Sequence, residues 1–151
     1  MIFLDFSTES IKGFGYGGRG KGLDFRNADL YDLTYEAFWG DIEFRVGDAD
    51  FSGPGPVLDM AIGLFSASLE LAKKKSHLYS AAEGAGYYRF DRKGDDVRIR
   101  LERMGSGVVS YEEFSSAARG FLELVLKELP RKYPGLSENP EISKLKGRLK
   151  Q

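Results

Sequence analysis

The chain has 151 residues, 42% hydrophobic and 13% aromatic, which suffices for one domain with a single sizeable core. Its 22 lysines and arginines against 23 acidic residues give a formal net charge of -1, so no global basic field draws it to nucleic acid and a charged partner has to meet a local patch. The absence of cysteine excludes disulfides, thiolate nucleophiles and cysteine-ligated zinc, and a single histidine, His77, excludes a two-histidine mechanism within one chain.

MIFLDF at the start reads as a short strand. It lacks the basic start and long apolar run of a signal peptide, and no apolar stretch approaches the ~20 residues that span a bilayer, so a cytoplasmic location and no membrane partner are expected. Residues 7–22 read as a flexible glycine-rich loop. Within it GFGYGGRGKG matches two phosphate-binding patterns: Gly13, Gly15 and Gly18 fit G-x-G-x-x-G, and Gly15 through Lys21 fit the start of a P-loop. Both need a strand before and a helix after, and LDFRNADLYD shows no helical period, while Gly22 stands where a P-loop has its metal-holding hydroxyl. A partner-contacting loop bearing Tyr16 and Arg19 is the reading that remains, with single-stranded nucleic acid on an RGG-like arm as the alternative.

From Leu23 the chain is aromatic and acidic. Tyr35, Ala37 and Trp39, then Ile42, Phe44 and Val46, alternate with polar neighbours and predict half-exposed strands. A turn at Gly47-Asp48 pairs Val46 with Ala49 and sets Phe44 opposite Phe51 and Arg45 opposite Asp50. SGPGP should end that strand, with Pro56 at the first position of a helix through Lys75 that buries Leu58, Ala61, Ile62, Phe65, Leu69 and Ala72. His77 is expected to cap the end of this helix.

A second hairpin pairs Lys93 with Asp96, which puts Tyr88, Phe90, Val97, Ile99 and Leu101 on one face and Tyr87, Arg89, Arg98 and Arg100 on the other. Arg89 then stands across from Arg100, an unfavourable pairing partly offset by Asp91 across from Arg98. Ser110 and Glu113 form a capping box that opens a long helix ending near Pro130, and Asn139-Pro140 opens a short C-terminal helix. The class is α+β: one domain, 1–151, with a mainly antiparallel sheet built from hairpins, two main helices and a short C-terminal one.

The carboxylates Asp24, Asp29, Asp32, Glu36, Asp41, Glu43, Asp48 and Asp50 read as a solvated sheet face, as an acidic docking surface, or as a hard-metal site. No regular ligand spacing supports the metal, and no catalytic residue, metal or cofactor site is assigned. Trp39 reads as core or as a rim anchor of an interface. The partner-binding candidates are therefore Glu36, Trp39, Asp41, Glu43, Asp48 and Asp50, with Tyr16 and Arg19 from the loop.

WGDIEFRVGDADFS leading into VLDMAIGLFSASLELA, then YYRFDRKGDDVRIRLE, then YPGLSENPEISKLKGRL, together resemble small bacterial α+β immunity proteins of contact-dependent inhibition and polymorphic toxin systems, over residues 39–150. The resemblance implies a cytoplasmic, non-enzymatic protein that binds a cognate toxin domain and blocks its active site or substrate entry. It makes the expected partner a protein in preference to nucleic acid, and leaves a homodimer open. The alternative is a small RNA- or nucleotide-binding module using the glycine-rich loop and the arginine-bearing sheet face.

Overall fold

Alternation along Ile2–Ser7 sorts the first strand, β1, into two faces: Ile2, Leu4 and Phe6 pack on the core, and Phe3 and Asp5 are exposed. The structure, a computed structural model, describes residues 1–8 and 22–151. Tyr16, Arg19 and most of the glycine-rich stretch lie outside the described residues. Ser7 closes β1 and so belongs to the strand, not to the loop predicted to begin there.

Trp39–Val46 forms β2, antiparallel to β1, with Leu4 opposite Phe44 on the inner face and Asp5 opposite Glu43 on the outer. The strand expected at Tyr35 and Ala37 is instead helical: Asp32–Glu36 makes a π turn, and Leu33 and Thr34 are buried. Asp29 caps it, its carboxylate accepting the Asp32 N-H at 2.9 Å, and the Thr34 hydroxyl donates to the Leu30 carbonyl. Phe38 turns this segment into β2 with a φ of 56°, a left-handed conformation costing a side-chain-bearing residue about 1 kcal/mol. Its ring is buried against Phe25 and Tyr133, which holds it there.

The chain returns along β2 as β3, Ala49–Asp50, and β4, Gly53–Pro56, in one register from Val46 opposite Ala49 to Trp39 opposite Pro56. Phe51 donates to the Phe44 carbonyl as the predicted pairing requires, but the Phe44 N-H turns to the Ser52 hydroxyl at 3.0 Å, which interrupts the ladder. SGPGP therefore extends the hairpin where it was expected to break it. With Phe44 and Phe51 a hydrogen-bonded pair, Pro54 and Pro56 fall where backbone nitrogens face away from β2, so they cost no ladder bond and leave the outer edge without donors.

Helix α1 spans Val57–Glu70, with Pro56 as its N-cap residue rather than its first helical one. It is buried around more of its circumference than a single stripe predicts, since Met60, Leu64 and Ala67 join the core, whereas Leu69 is exposed. The helix stops before the lysines. His77 lies beyond it in a strand, β5, Ser76–Ser80, opposite Phe90, which corrects the capping role expected of it. Gly63 of α1 lies against the Tyr79 ring of β5, an approach that leaves no room for a Cβ.

Strands β6, Tyr87–Lys93, and β7, Asp96–Leu101, pair in the predicted register, and β8, Gly105–Ser110, adds an unforeseen fourth strand. The result is two four-stranded antiparallel sheets, β1-β2-β3 with β4 also on β2, and β5-β6-β7-β8, rather than one. Helix α2, Tyr111–Lys132, opens on the Ser110 hydroxyl, which accepts the Glu113 N-H at 3.1 Å, and runs two residues past Pro130. Helix α3, Pro140–Leu149, completes a single α+β domain. Both sheets turn apolar faces to one core with α1 and α2: Phe44 meets Tyr88, Phe6 meets Phe121 and Phe90 meets Phe114, with ring centroids 5.4 to 6.1 Å apart.

Candidate functional site: the outer face of the first sheet

Every second residue of β1 and β2 points away from the core, and pairing the strands in their observed register assembles a surface that neither shows alone. Its rows read Phe3 beside Arg45, Asp5 beside Glu43, and Ser7 beside Asp41. On the other side of β2, Asp50 stands across from Arg45 and Pro54 across from Asp41. Among the described residues, four carboxylates thus share the rows of this face with one arginine.

That arginine is committed to the face itself. Arg45 lies 3.3 Å from the Glu43 carboxylate and its guanidinium sits 4.6 Å from the centre of the Phe3 ring. Asp5 and Glu43 are directly opposed like charges, an arrangement that costs a few tenths of a kcal/mol to about 1 kcal/mol. The Asp50 carboxyl is held below the usual carboxylate range by the Ser52 side chain and N-H, with Arg45 adding to the effect, so it stays ionised at neutral pH and well below.

Trp39 shares the outward parity of Asp41 and Glu43 and is half-buried at the start of β2, paired across from Pro56. Its indole N-H donates to the Tyr35 carbonyl at 3.4 Å, and Tyr35 stacks on the exposed Tyr31 with ring centroids 4.6 Å apart. An aromatic group therefore borders the acidic face. A rim anchor is the role this position fits, and Phe38, its neighbour in sequence, belongs to the core.

The structure divides the acidic run of the sequence. Asp41, Glu43 and Asp50 converge on the face; Glu36 is exposed on the π turn and Asp48 on the Gly47-Asp48 turn, away from the central rows. Asp24 and Asp29 are turn-formers: Asp24 accepts from the Arg26 N-H and the Asn27 side chain, and Asp29 caps the π turn. Tyr16 and Arg19 lie outside the described residues. Among the described residues, no three carboxylates or histidine come together as a metal-holding group. Asp5 and Phe3 are the members sequence reading missed. Their outward parity was visible in MIFLDF, but their partner lay more than 30 residues away across the least regular part of the chain.

Among the described residues, no helix is long and apolar enough to cross a membrane. Comparison of the chain with protein-family models, with curated proteins and with solved structures finds no match.

Proposed function

We propose that the protein is a non-enzymatic binding protein that recognises a basic protein surface through the outer face of its first sheet, in the manner of an immunity protein neutralising a cognate toxin domain. The observation that carries this reading is the Asp5–Glu43 pair: two carboxylates directly opposed in the middle of a regular ladder, with Asp41 in a flanking row and Asp50 across from Arg45. A free sheet gains nothing from such a row. A partner bringing lysines or arginines to it relieves the repulsion between Asp5 and Glu43.

The carboxylates do two things in this account. Before contact they give the partner a negative patch to orient on, which raises the association rate. After contact they stand where the phosphates of a nucleic-acid substrate stand on a basic toxin, so occupancy and substrate entry exclude each other. Trp39, half-buried at the border of the face, is the apolar anchor.

The test is to mix the protein with the product of the reading frame immediately upstream. A tight complex that abolishes that protein's toxicity is the expected result. An upstream protein that neither binds nor is inhibited contradicts the reading.

A further inference from the structure

The near-neutral total charge conceals a second surface of opposite sign. The outer face of the second sheet is built from Tyr87, Arg89, Asp91 and Lys93 of β6 and Asp96, Arg98 and Arg100 of β7, all but Asp91 exposed. Arg89 pairs with Asp91 at 3.0 Å, and Arg98 reaches the Ser106 hydroxyl at 3.3 Å. Arg100, directly opposite Arg89, has no acidic partner among the described residues. As on the first sheet, two like charges face one another, here positive.

Beyond the Lys93 end, on the helix side of the sheet, a cleft of 410 Å³ is lined by Lys73, Lys74, Lys75, Arg92 and Lys93, with Arg92 opposite the buried Val97. Arg92 is fixed there, donating to the carbonyls of Leu71 and Gly94, each at 2.9 Å, with its guanidinium 3.8 Å from the centre of the Tyr111 ring. Lys74 is paired with Glu70 at 3.0 Å, and Lys73 and Lys75 complement the carboxyl end of α1. Successive outward residues lie about 7 Å apart along a strand. On the outer face Lys93, Arg98 and the Arg89–Arg100 pair outnumber Asp96 and Asp91 in the same rows, and they lead to Tyr87, which is 47% exposed and accepts the Glu102 N-H at its carbonyl.

We propose that this face binds single-stranded nucleic acid, with the sugar-phosphate backbone following the cations from Lys93 to Arg100 and a base stacked on Tyr87. The exposed ring at the end of a line of arginines selects this ligand over an acidic polypeptide, because bases stack on it and carboxylates do not. The inference is independent of the protein-binding role proposed for the first sheet.

The test uses fluorescein-labelled oligouridylate and oligodeoxythymidylate, read by anisotropy at low and at moderate salt. Binding at low salt that weakens as salt rises is expected, with Arg98→Ala and Arg100→Ala each reducing the slope of log affinity against log salt by about 0.7. Tyr87→Ala should cost about tenfold in affinity and leave that slope unchanged. Lys127→Ala and Lys146→Ala, in the groove between α2 and α3, should change neither, and Glu43→Lys on the first sheet should not weaken binding. No binding at low salt, slopes untouched by the arginine variants, or polyglutamate competing as well as the oligonucleotide would each overturn the proposal.

Discussion

Asp5 of β1 lies directly across from Glu43 of β2, both pointing away from the core, and Arg45, the cation in the neighbouring row of the described strands, is already engaged with Glu43 and the Phe3 ring. Replacing Asp5 by serine should therefore raise stability by a few tenths of a kcal/mol to about 1 kcal/mol. Urea unfolding measures the gain. The same variant should associate more slowly with a basic partner, so stability and recognition move in opposite directions at one residue.

Gly107 of β8 is tied to the first sheet. A Cβ built there runs into the backbone carbonyl of Val46, and a paired strand cannot yield as a side chain can. Gly107→Ala should cost about 1–3 kcal/mol, seen as a lowered unfolding midpoint with the denaturant slope unchanged. At Gly63 alanine should gain roughly 1 kcal/mol of helix propensity and lose more against the Tyr79 ring. That ring is pinned by its hydroxyl, which donates to the Asp59 carboxylate.

Asn139 is fully buried and uses both ends of its amide. Its oxygen caps α3 by accepting the Glu141 N-H at 2.8 Å, and its nitrogen donates to the carbonyls of Phe25 at 2.7 Å and Ala28 at 2.9 Å. Asn139→Ala removes the cap, worth about 1 kcal/mol, and takes the donor from two part-buried carbonyls, at about 1 kcal/mol each. The expected loss is several kcal/mol. Amide exchange should quicken in residues 22–28 as well as in α3, because one side chain holds both.

Burial, with the Asp59 carboxylate adding to it, pushes the Tyr79 hydroxyl well above the usual tyrosine range, and burial raises that of Tyr88. A raised folded-state pKa means stability that is complete below the unfolded value of about 10 and declines as pH rises beyond it. Alkaline unfolding should therefore begin above roughly pH 10. Absorbance titration should show these two tyrosines ionising with the loss of structure, not before it.

The hairpins and the caps were legible in the sequence because their signals are local. Gly47-Asp48, the Lys93–Asp96 pairing, the Ser110–Glu113 box and Asn139-Pro140 each involve residues within a few positions of one another. The misreadings have physical causes of the same scale. Tyr35, Ala37 and Trp39 alternate like a strand, yet Asp29 caps a helical turn there, a signal present in its spacing of three from Asp32. β8 is made of glycine, serine and valine, and Gly107 answers to a packing contact with Val46 that no local pattern records.

The candidate site was half legible for a related reason. Asp41, Glu43 and Asp50 could be placed on one outward face from the hairpin alone. Asp5 could not, because the β1–β2 pairing joins residues distant in sequence, and nothing in either strand names its neighbour. Segregation of charge was equally hidden: a total of -1 does not show that one sheet carries an acidic face and the other a basic one.

The most direct test of the central claim is the association rate between the protein and the upstream-encoded partner at low salt, measured by stopped flow for the native chain and for a variant carrying Asp5→Lys, Glu43→Lys and Asp50→Lys. Association of the variant should be at least about tenfold slower, by a margin that shrinks as salt is raised, with little change in dissociation. Association at the native rate, with the same salt dependence, would show that the partner does not approach the outer face of the first sheet.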